Sequence, residues 1–150
     1  MKKVIKSRLV AVHGTKVMVL KKNGKPRKYT LPGGIKKGKE TEAQALVRET
    51  SEEIKLKLTK DQVQFYLSLT KMANKEQINK NYFYTFLKPQ KIAVKETHKF
   101  DSIKWENWKM AREFMDKSDR LAVTAYFKSI RRKEKNKKHN EHQISSRIAM

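Results

Sequence analysis

The chain contains no cysteine, few acidic residues and no long apolar run. Its 150 residues include 37 Lys and Arg but only 15 Asp and Glu, so the formal net charge is +22. The absence of cysteine excludes a disulfide framework, a thiolate zinc site and a cysteine nucleophile. No stretch approaches the roughly 18 apolar residues that a membrane span needs, and Lys6, Ser7 and Arg8 interrupt any signal-peptide core. We therefore expect a soluble, cytoplasmic protein that does not bind membranes.

The content of apolar residues is sufficient for one hydrophobic core. Apolar residues make up 37% of the chain and aromatic residues 9%, which is low but sufficient for a single domain. We expect that domain over residues 1–132. Residues 131–150 contain seven Lys and Arg and two Glu, so we expect 133–150 to be a basic C-terminal tail that is disordered or forms a frayed helical extension.

The spacing of apolar residues predicts both strands and helices. Thr41 and Gln44 match a capping box ahead of a helix that we expect from Glu42 to about Ile54. Ser118 is the predicted cap of a second helix near the end of the chain. Strands are predicted at residues 4–12, 17–21, 28–31, 62–69 and 79–87, with further short strands at 91–94 and 102–105. This order predicts an α/β fold in which helices flank a mixed β-sheet.

The acidic residues concentrate in one short window. Five of the 15 acids lie in residues 40–53, where Arg48 is the only base. This window therefore carries a net charge of −4, while the rest of the chain carries +26. Glu49 lies one helical turn before Glu52 and Glu53, and each such like-charge pair costs about 0.2–0.5 kcal/mol. All three acids lie near the C-terminal end of the helix, where the helix dipole favours cations over acids. A divalent cation would relieve this repulsion, and oxygen-only ligands favour Mg²⁺ or Mn²⁺ over Zn²⁺. The alternative is a solvated acidic helix face.

These acids belong to a longer motif. Gly34, Glu40 and residues 48–56 (RETSEEIKL) have the spacing of the Nudix box, G-x5-E-x7-R-E-U-x-E-E-x-G-U, and residues 31–34 (LPGG) precede it. The sequence therefore resembles the Nudix hydrolase family of MutT-like pyrophosphohydrolases. That resemblance implies an αβα sandwich. Gly34 and Glu40 are then expected to support the loop and helix of the box.

Two positions differ from the box. Lys55 replaces its second glycine, which normally adopts the left-handed conformation at the end of the helix, and this costs about 1 kcal/mol. Thr50 replaces a larger aliphatic residue, so we expect slightly thinner packing beneath the helix. Neither change removes a charged group.

The resemblance implies a divalent-metal site with Mg²⁺ as the expected cofactor and Mn²⁺ as the alternative. The expected metal ligands are the backbone carbonyl of Gly33 and the carboxylates of Glu49, Glu52 and Glu53. The expected catalytic residues are Arg48, Glu52 and Glu53, with Arg48 orienting its neighbouring glutamates.

The reaction also needs a general base and groups that meet the substrate phosphates. Glu52 can supply the base, as can Glu96 or Asp101 from a later loop. The candidates for phosphate contact are Lys21, Lys22, Arg27, Lys36, Lys37 and Lys39, each of which is otherwise a solvated surface residue.

The resemblance implies Mg²⁺-dependent hydrolysis of a pyrophosphate bond in a nucleoside diphosphate linked to another group, such as a nucleoside triphosphate. An RNA 5′-pyrophosphohydrolase and a dinucleoside polyphosphate hydrolase are alternatives. A catalytically retired Nudix fold that only binds nucleic acid is a third, but all four box glutamates are present. RNA is a candidate partner through the basic surface and tail, although lysine-rich composition alone gives the same charge. A monomer and a homodimer both fit the sequence.

Overall fold

The computed structural model describes residues 1–90 and 92–148, and from residue 141 onward it describes the backbone alone. The strands are β1 (Lys2–His13), β2 (Lys16–Lys22), β3 (Tyr29–Thr30), β4 (Gly33–Ile35), β5 (Gln64–Ala73), β6 (Glu76–Phe86) and β7 (Phe100–Asn107). The helices are α1 (Glu42–Ile54), α2 (Trp108–Ala111) and α3 (Lys117–Ile148). The predicted α/β fold, a mixed sheet flanked by helices, is confirmed. The short strand predicted at 91–94 is wrong for residues 92–94, which form no strand, and residue 91 lies outside the described residues. Within these residues, no helix is both long and apolar enough to cross a membrane.

All seven strands belong to one sheet, with β1 near its centre. The main order is β3-β2-β1-β6-β5, while β4 pairs with β1 and β7 pairs with β2. The β1–β6 pair is parallel and the other pairs are antiparallel. Because β1 contacts β2 only at its C-terminal end, the preceding part of the same edge is free to pair with β4, where Arg8 lies opposite Gly33.

The two faces of the sheet bury separate cores, because successive residues of a strand point to opposite sides. Leu9 of β1 packs in one core with Leu46 and Ile54 of α1. Val10 of β1 packs in the other core with Val123 of α3. The sheet therefore lies between α1 and α3 in an αβα arrangement.

Local sequence determines both ends of α1. Thr41 Oγ1 accepts the Gln44 N–H at 3.1 Å, and Gln44 Oε1 accepts the Thr41 N–H at 2.8 Å, so the predicted capping box is confirmed. The helix ends at Lys55, which adopts the left-handed conformation with φ 54°. Lys55 thus takes the backbone conformation that glycine has in the Nudix box, and it does so despite its side chain.

Helix α3 begins at a different cap from the one predicted from the sequence. The predicted cap Ser118 lies inside the helix, and Asp116 Oδ1 caps it instead by accepting the Asp119 N–H at 2.9 Å. The helix then continues to Ile148 and includes residues 133–148, for which a disordered tail and a frayed helical extension were the two alternatives from the sequence. Its residues 117–148 include no Gly or Pro and many Lys and Arg, which favour helix. Every side chain from 131 to 140 is exposed.

Candidate active site

The glycine loop lies directly against β1 and α1. Gly33 has φ 141°, a conformation that side chains rarely adopt, and an added Cβ would overlap the backbone oxygen of Ser7. A Cβ on Gly34 would overlap the carboxylate of Glu49. The Gly33 N–H donates to Glu53 Oε1 at 2.8 Å. The two glycines therefore allow the strand, the loop and the helix to meet at the box carboxylates.

Three carboxylates meet beside this loop. Glu49 and Glu53 lie one turn apart on α1, and Glu96 comes from the segment before β7. One carboxylate oxygen from each lies within 4.8 Å of the others. The Lys95 N–H donates to the Glu53 carbonyl at 2.8 Å, which brings the Glu96 segment to the end of α1. We call Glu49, Glu53 and Glu96 the carboxylate cluster.

Glu53 is the buried member of this cluster, with 5% exposure. Burial raises the pKa of Glu53 to about 7, and the charges of Glu49 and Glu96 act in the same direction. The Gly33 amide and the charge of Arg8 oppose this shift. Arg48 pairs with Glu49 and Lys99 pairs with Glu96, each at 3.0 Å, so the cluster combines one buried carboxyl group with two carboxylates that basic side chains partly neutralise.

A divalent cation fits this arrangement. The three groups offer only carboxylate oxygens, the ligands that Mg²⁺ and Mn²⁺ prefer, and the structure provides no thiolate or histidine among them. A bound cation would favour the ionised form of Glu53, because opposite charges lower the pKa of a carboxyl group.

Arg48 links the loop to the helix. Its Nε and Nη2 donate to Glu40 Oε2 and Oε1 at 3.1 and 2.7 Å, and Nη2 also donates to the Ile35 carbonyl at 3.0 Å. Nη1 donates to Glu49 Oε1 at 3.0 Å. The hydrogen bond from Arg48 is the main cause that lowers the pKa of Glu40 to about 2. These bonds tie Glu40 and the loop after the glycines to Arg48 and Glu49 of α1.

The structure does not place every sequence candidate at the cluster. Glu52 has a side chain that is 55% exposed, and its carboxylate contacts Arg48 at 3.4 Å. Asp101 forms an ion pair with Lys21 at 2.6 Å, which lowers the pKa of Asp101. Of the two loop acids named from the sequence, Glu96 joins the cluster.

A basic cleft of about 350 Å³ opens beside the cluster. Glu49, Glu53, Gly33 and Gly34 line it together with five cations: Lys6, Arg8, Lys22, Lys37 and Lys99. Sequence reasoning named Lys22 and Lys37 but missed Lys6, Arg8 and Lys99. Alternation along β1 places Lys6 and Arg8 on the same face of the strand as Val10 and Val12, but this pattern alone does not indicate a phosphate-binding cleft.

A second cavity of about 400 Å³ shares Lys22 and Thr30 with the basic cleft. It is lined by Tyr29 and Phe114, whose rings meet edge to face with centroids 5.3 Å apart. The Arg27 guanidinium lies 5.4 Å from the centre of the Phe114 ring. The second cavity thus combines aromatic surface with charge next to the basic cleft.

Comparison with known proteins gives a family match and a shared fold. The NUDIX domain family model matches residues 5–127. The fold is similar to that of a MutT Nudix hydrolase from Burkholderia pseudomallei, with TM-score 0.72, 17% identity, and coverage of 83% of this chain and 98% of that chain. It is also similar to dihydroneopterin triphosphate pyrophosphohydrolase from E. coli, with TM-score 0.68, 17% identity, and coverage of 81% and 93% respectively.

A third similar structure is an Ap4A hydrolase from C. elegans, with TM-score 0.62, 21% identity, and coverage of 85% of this chain and 96% of that chain. No curated protein matches the sequence significantly. The family match spans the glycine loop, the box and the Glu96 segment, which the structure brings together at one site. The chain therefore belongs to the Nudix family and is a Nudix pyrophosphohydrolase.

Proposed function

We propose that the protein hydrolyses a pyrophosphate bond in a nucleoside triphosphate or a related nucleotide, with Mg²⁺ as its cofactor and Mn²⁺ as a substitute. The observation that carries this proposal is the carboxylate cluster beside a cleft lined by five cations. Carboxylates that hold a cation and a basic cleft that attracts phosphate are the two parts that the reaction requires.

Glu49, Glu53 and Glu96 are the proposed metal-binding carboxylates, and the Gly33 carbonyl stays a predicted further ligand. When bound, the metal neutralises charge on the phosphate oxygens and makes a bound water more acidic. Arg48 positions Glu49 through their 3.0 Å bond. The chain itself thus fixes the position of two cluster members, since Gly33 holds Glu53 in the same way.

Glu52 is the proposed general base. Its carboxylate is exposed, and its 3.4 Å contact with Arg48 is the longest of that guanidinium's contacts with acids. It accepts a proton from the attacking water while the water oxygen bonds to phosphorus and the bridging P–O bond breaks, releasing the second phosphate group. Asp101 is a poorer candidate, because Lys21 holds its carboxylate.

The second cavity is the proposed site of the nucleoside. It adjoins the basic cleft at Lys22 and Thr30, so one substrate can place phosphates in the cleft and a base in the cavity. Tyr29 and Phe114 offer aromatic surface, on which bases stack favourably. Asp116 offers hydrogen-bond acceptors: although burial opposes its ionisation, bonds from the Asp119 amide and Lys80 lower the pKa of Asp116 to about 2.

A substrate screen tests this proposal. Nucleoside triphosphates, dinucleoside polyphosphates, nucleotide sugars, ADP-ribose and 5′-triphosphate RNA are each incubated with the protein and Mg²⁺ or with a chelator. We expect at least one nucleotide to be cleaved at its pyrophosphate bond with Mg²⁺ and none with the chelator. Equal cleavage in both conditions, or no cleavage of any compound with Mg²⁺ or Mn²⁺, would contradict it.

RNA 5′ ends are the second candidate substrate, and the exposed part of α3 favours them. Six of the ten residues 131–140 are Lys or Arg and one is Glu, whereas 37 of the 150 residues of the whole chain are Lys or Arg. The density of basic residues is therefore far higher in this part of α3. All ten are exposed, and such a basic helix attracts the phosphate backbone of nucleic acid. The remaining question is whether this arm improves cleavage of RNA over free nucleotide.

Changing the arm's six bases to Gln tests the RNA candidate. It predicts a fall of at least about 10-fold in kcat/KM for triphosphate RNA near 50 mM salt, but little change for free nucleotide. The matched control changes six exposed lysines outside the arm: Lys16, Lys57, Lys60, Lys75, Lys109 and Lys128. If kcat/KM for triphosphate RNA falls equally in the two variants, the effect is due to net charge, and residues 131–140 have no specific role in RNA cleavage.

A further inference from the structure

One buried donor near the carboxylate cluster has no acceptor. Among the side chains that the structure describes, Arg8 Nε is the buried polar atom without a hydrogen-bond partner. Folded proteins rarely leave such a donor unpaired, because burial removes its bonds to water. Arg8 therefore has a donor available for a group that the protein does not supply.

The backbone of Arg8 is fixed on both sides. Arg8 lies in β1, opposite Gly33 of β4 and opposite Tyr82 of the parallel strand β6. Gly33 in turn donates its N–H to Glu53. Arg8 is thus held next to the glycine loop, on a strand that cannot shift without disrupting two ladders.

The surroundings of Arg8 define the chemistry of the missing acceptor. Arg8 lines the basic cleft, where Lys6, Lys22 and Lys99 add positive charge opposite Glu49 and Glu53. An anion with several oxygens satisfies this set of donors. Among the five cations only Arg8 presents a planar fork, which matches the geometry of a phosphate group better than an ammonium does.

We propose that Arg8 is a substrate-binding residue whose guanidinium binds a phosphate of the substrate's pyrophosphate group in the basic cleft. This rests on the proposed function, since it assumes a pyrophosphate substrate next to the carboxylate cluster. Arg8 lies outside the Nudix box, so it adds a contact from the central strand to those of the loop and the helix.

Binding measurements separate this role from a structural one. Arg8 lines the same cleft as Glu49 and Glu53, so its positive charge repels a metal ion held by those carboxylates. Removing the charge should therefore weaken binding of a diphosphate and strengthen binding of Mg²⁺ alone. A structural defect would weaken both.

The experiment uses methylenediphosphonate, whose P–C–P bridge cannot be hydrolysed, as the probe in calorimetry with saturating Mg²⁺. Arg8→Gln is expected to weaken binding of the diphosphonate at least about 10-fold. The same variant should tighten Mg²⁺ binding measured in the absence of the diphosphonate. Arg8→Lys keeps the charge but not the fork, so it should weaken the diphosphonate several-fold and leave Mg²⁺ binding unchanged. Lys128→Gln, which removes one exposed charge from α3, is the matched control.

The outcomes also distinguish this proposal from the proposed function. If both Arg8 variants bind the diphosphonate as tightly as Lys128→Gln does, the proposed role of Arg8 is overturned. A parallel loss of diphosphonate and Mg²⁺ binding would overturn it as well. Hydrolysis by the unchanged protein is measured separately. If it cleaves no nucleotide but its diphosphonate binding depends on Arg8, the proposed function fails and the anion site stands.

Discussion

Arg48 and Glu40 form a bidentate pair, with Nη2 2.7 Å from Oε1 and Nε 3.1 Å from Oε2. Glu40 also accepts the Lys37 N–H at 2.7 Å. This pair therefore connects the loop after the glycines to the helix that holds the carboxylates. It is the main fixed link between two parts of the site that are separate in sequence.

The first prediction concerns this link. Arg48→Lys should lower Tm by several degrees and weaken Mg²⁺ binding, because lysine cannot form the two parallel bonds to Glu40 or hold Glu49 as well. Thermal unfolding and calorimetry measure the two effects. Lys39→Gln, an exposed change in the same loop, should alter neither. If Arg48→Lys behaves like that control, Arg48 does not position the site.

The sequence predicted those parts of the site that depend on local spacing. Thr41 and Gln44 cap a helix wherever they occur at this separation, and residues one turn apart on α1 must share a face, so Glu49 and Glu53 are found together. Glu96 was named from the sequence only as one of two loop candidates for the general base, because its approach to Glu49 and Glu53 depends on the bond from Lys95 to the end of α1.

The remaining parts depend on tertiary contacts that no local pattern contains. The orientation of Glu52 toward Arg48 is a choice between side-chain conformations. Arg8 lies in the cleft beside the cluster because β1 pairs with β4 at Gly33, a pairing that no local pattern specifies. Asp116 and Ser118 are both good helix caps, and Lys80 bonds to both of them, at 2.9 and 2.8 Å, from a strand that is distant in sequence.

The second prediction is a stabilising change. Lys55 adopts φ 54° at the end of α1, a conformation that glycine adopts without steric cost. Lys55→Gly should therefore raise the free energy of unfolding by about 1 kcal/mol. Lys57→Gly, at an exposed position without positive φ, should leave stability unchanged or lower it. Urea unfolding of both variants checks this, and a loss of stability in Lys55→Gly would contradict it.

The third prediction is a pH effect on the metal-free protein. Burial raises the pKa of Glu53 from 4.5 to about 7, so the folded protein retains a proton that the unfolded chain releases between these values. Stability from this group is therefore lost as pH rises from 4.5 to 7, by on the order of 3 kcal/mol in total. Glu53→Gln should be several degrees more stable than the unchanged protein at about pH 8, with little difference near pH 4.5.

The control for this effect is Glu42→Gln, the same chemical change in the first turn of α1 and outside the carboxylate cluster. Its difference from the unchanged protein should not follow this pH dependence. Added Mg²⁺ should stabilise the unchanged protein and Glu42→Gln, but not Glu53→Gln. An equal pH profile for Glu53→Gln and the unchanged protein would mean that Glu53 does not hold this proton.

The fourth prediction separates the roles of two acids. Glu96→Gln should weaken Mg²⁺ binding at least about 10-fold, because it removes one of the three cluster carboxylates. Glu52→Gln should change Mg²⁺ affinity by less than about 3-fold and lower kcat by at least about 100-fold, as expected for loss of a general base. If Glu52→Gln loses the metal and Glu96→Gln keeps it, the two assignments are exchanged.

The most direct test of the whole account is the turnover of Glu53→Gln on a nucleotide that the unchanged protein cleaves. The side-chain amide oxygen in this variant can still accept the Gly33 N–H, so the fold should survive while the buried negative charge of the cluster is lost. We predict that kcat with saturating Mg²⁺ falls at least about 1,000-fold in Glu53→Gln and stays within about 3-fold in Glu42→Gln. Full Mg²⁺-dependent turnover by Glu53→Gln would contradict the assignment of this cluster as the catalytic metal site.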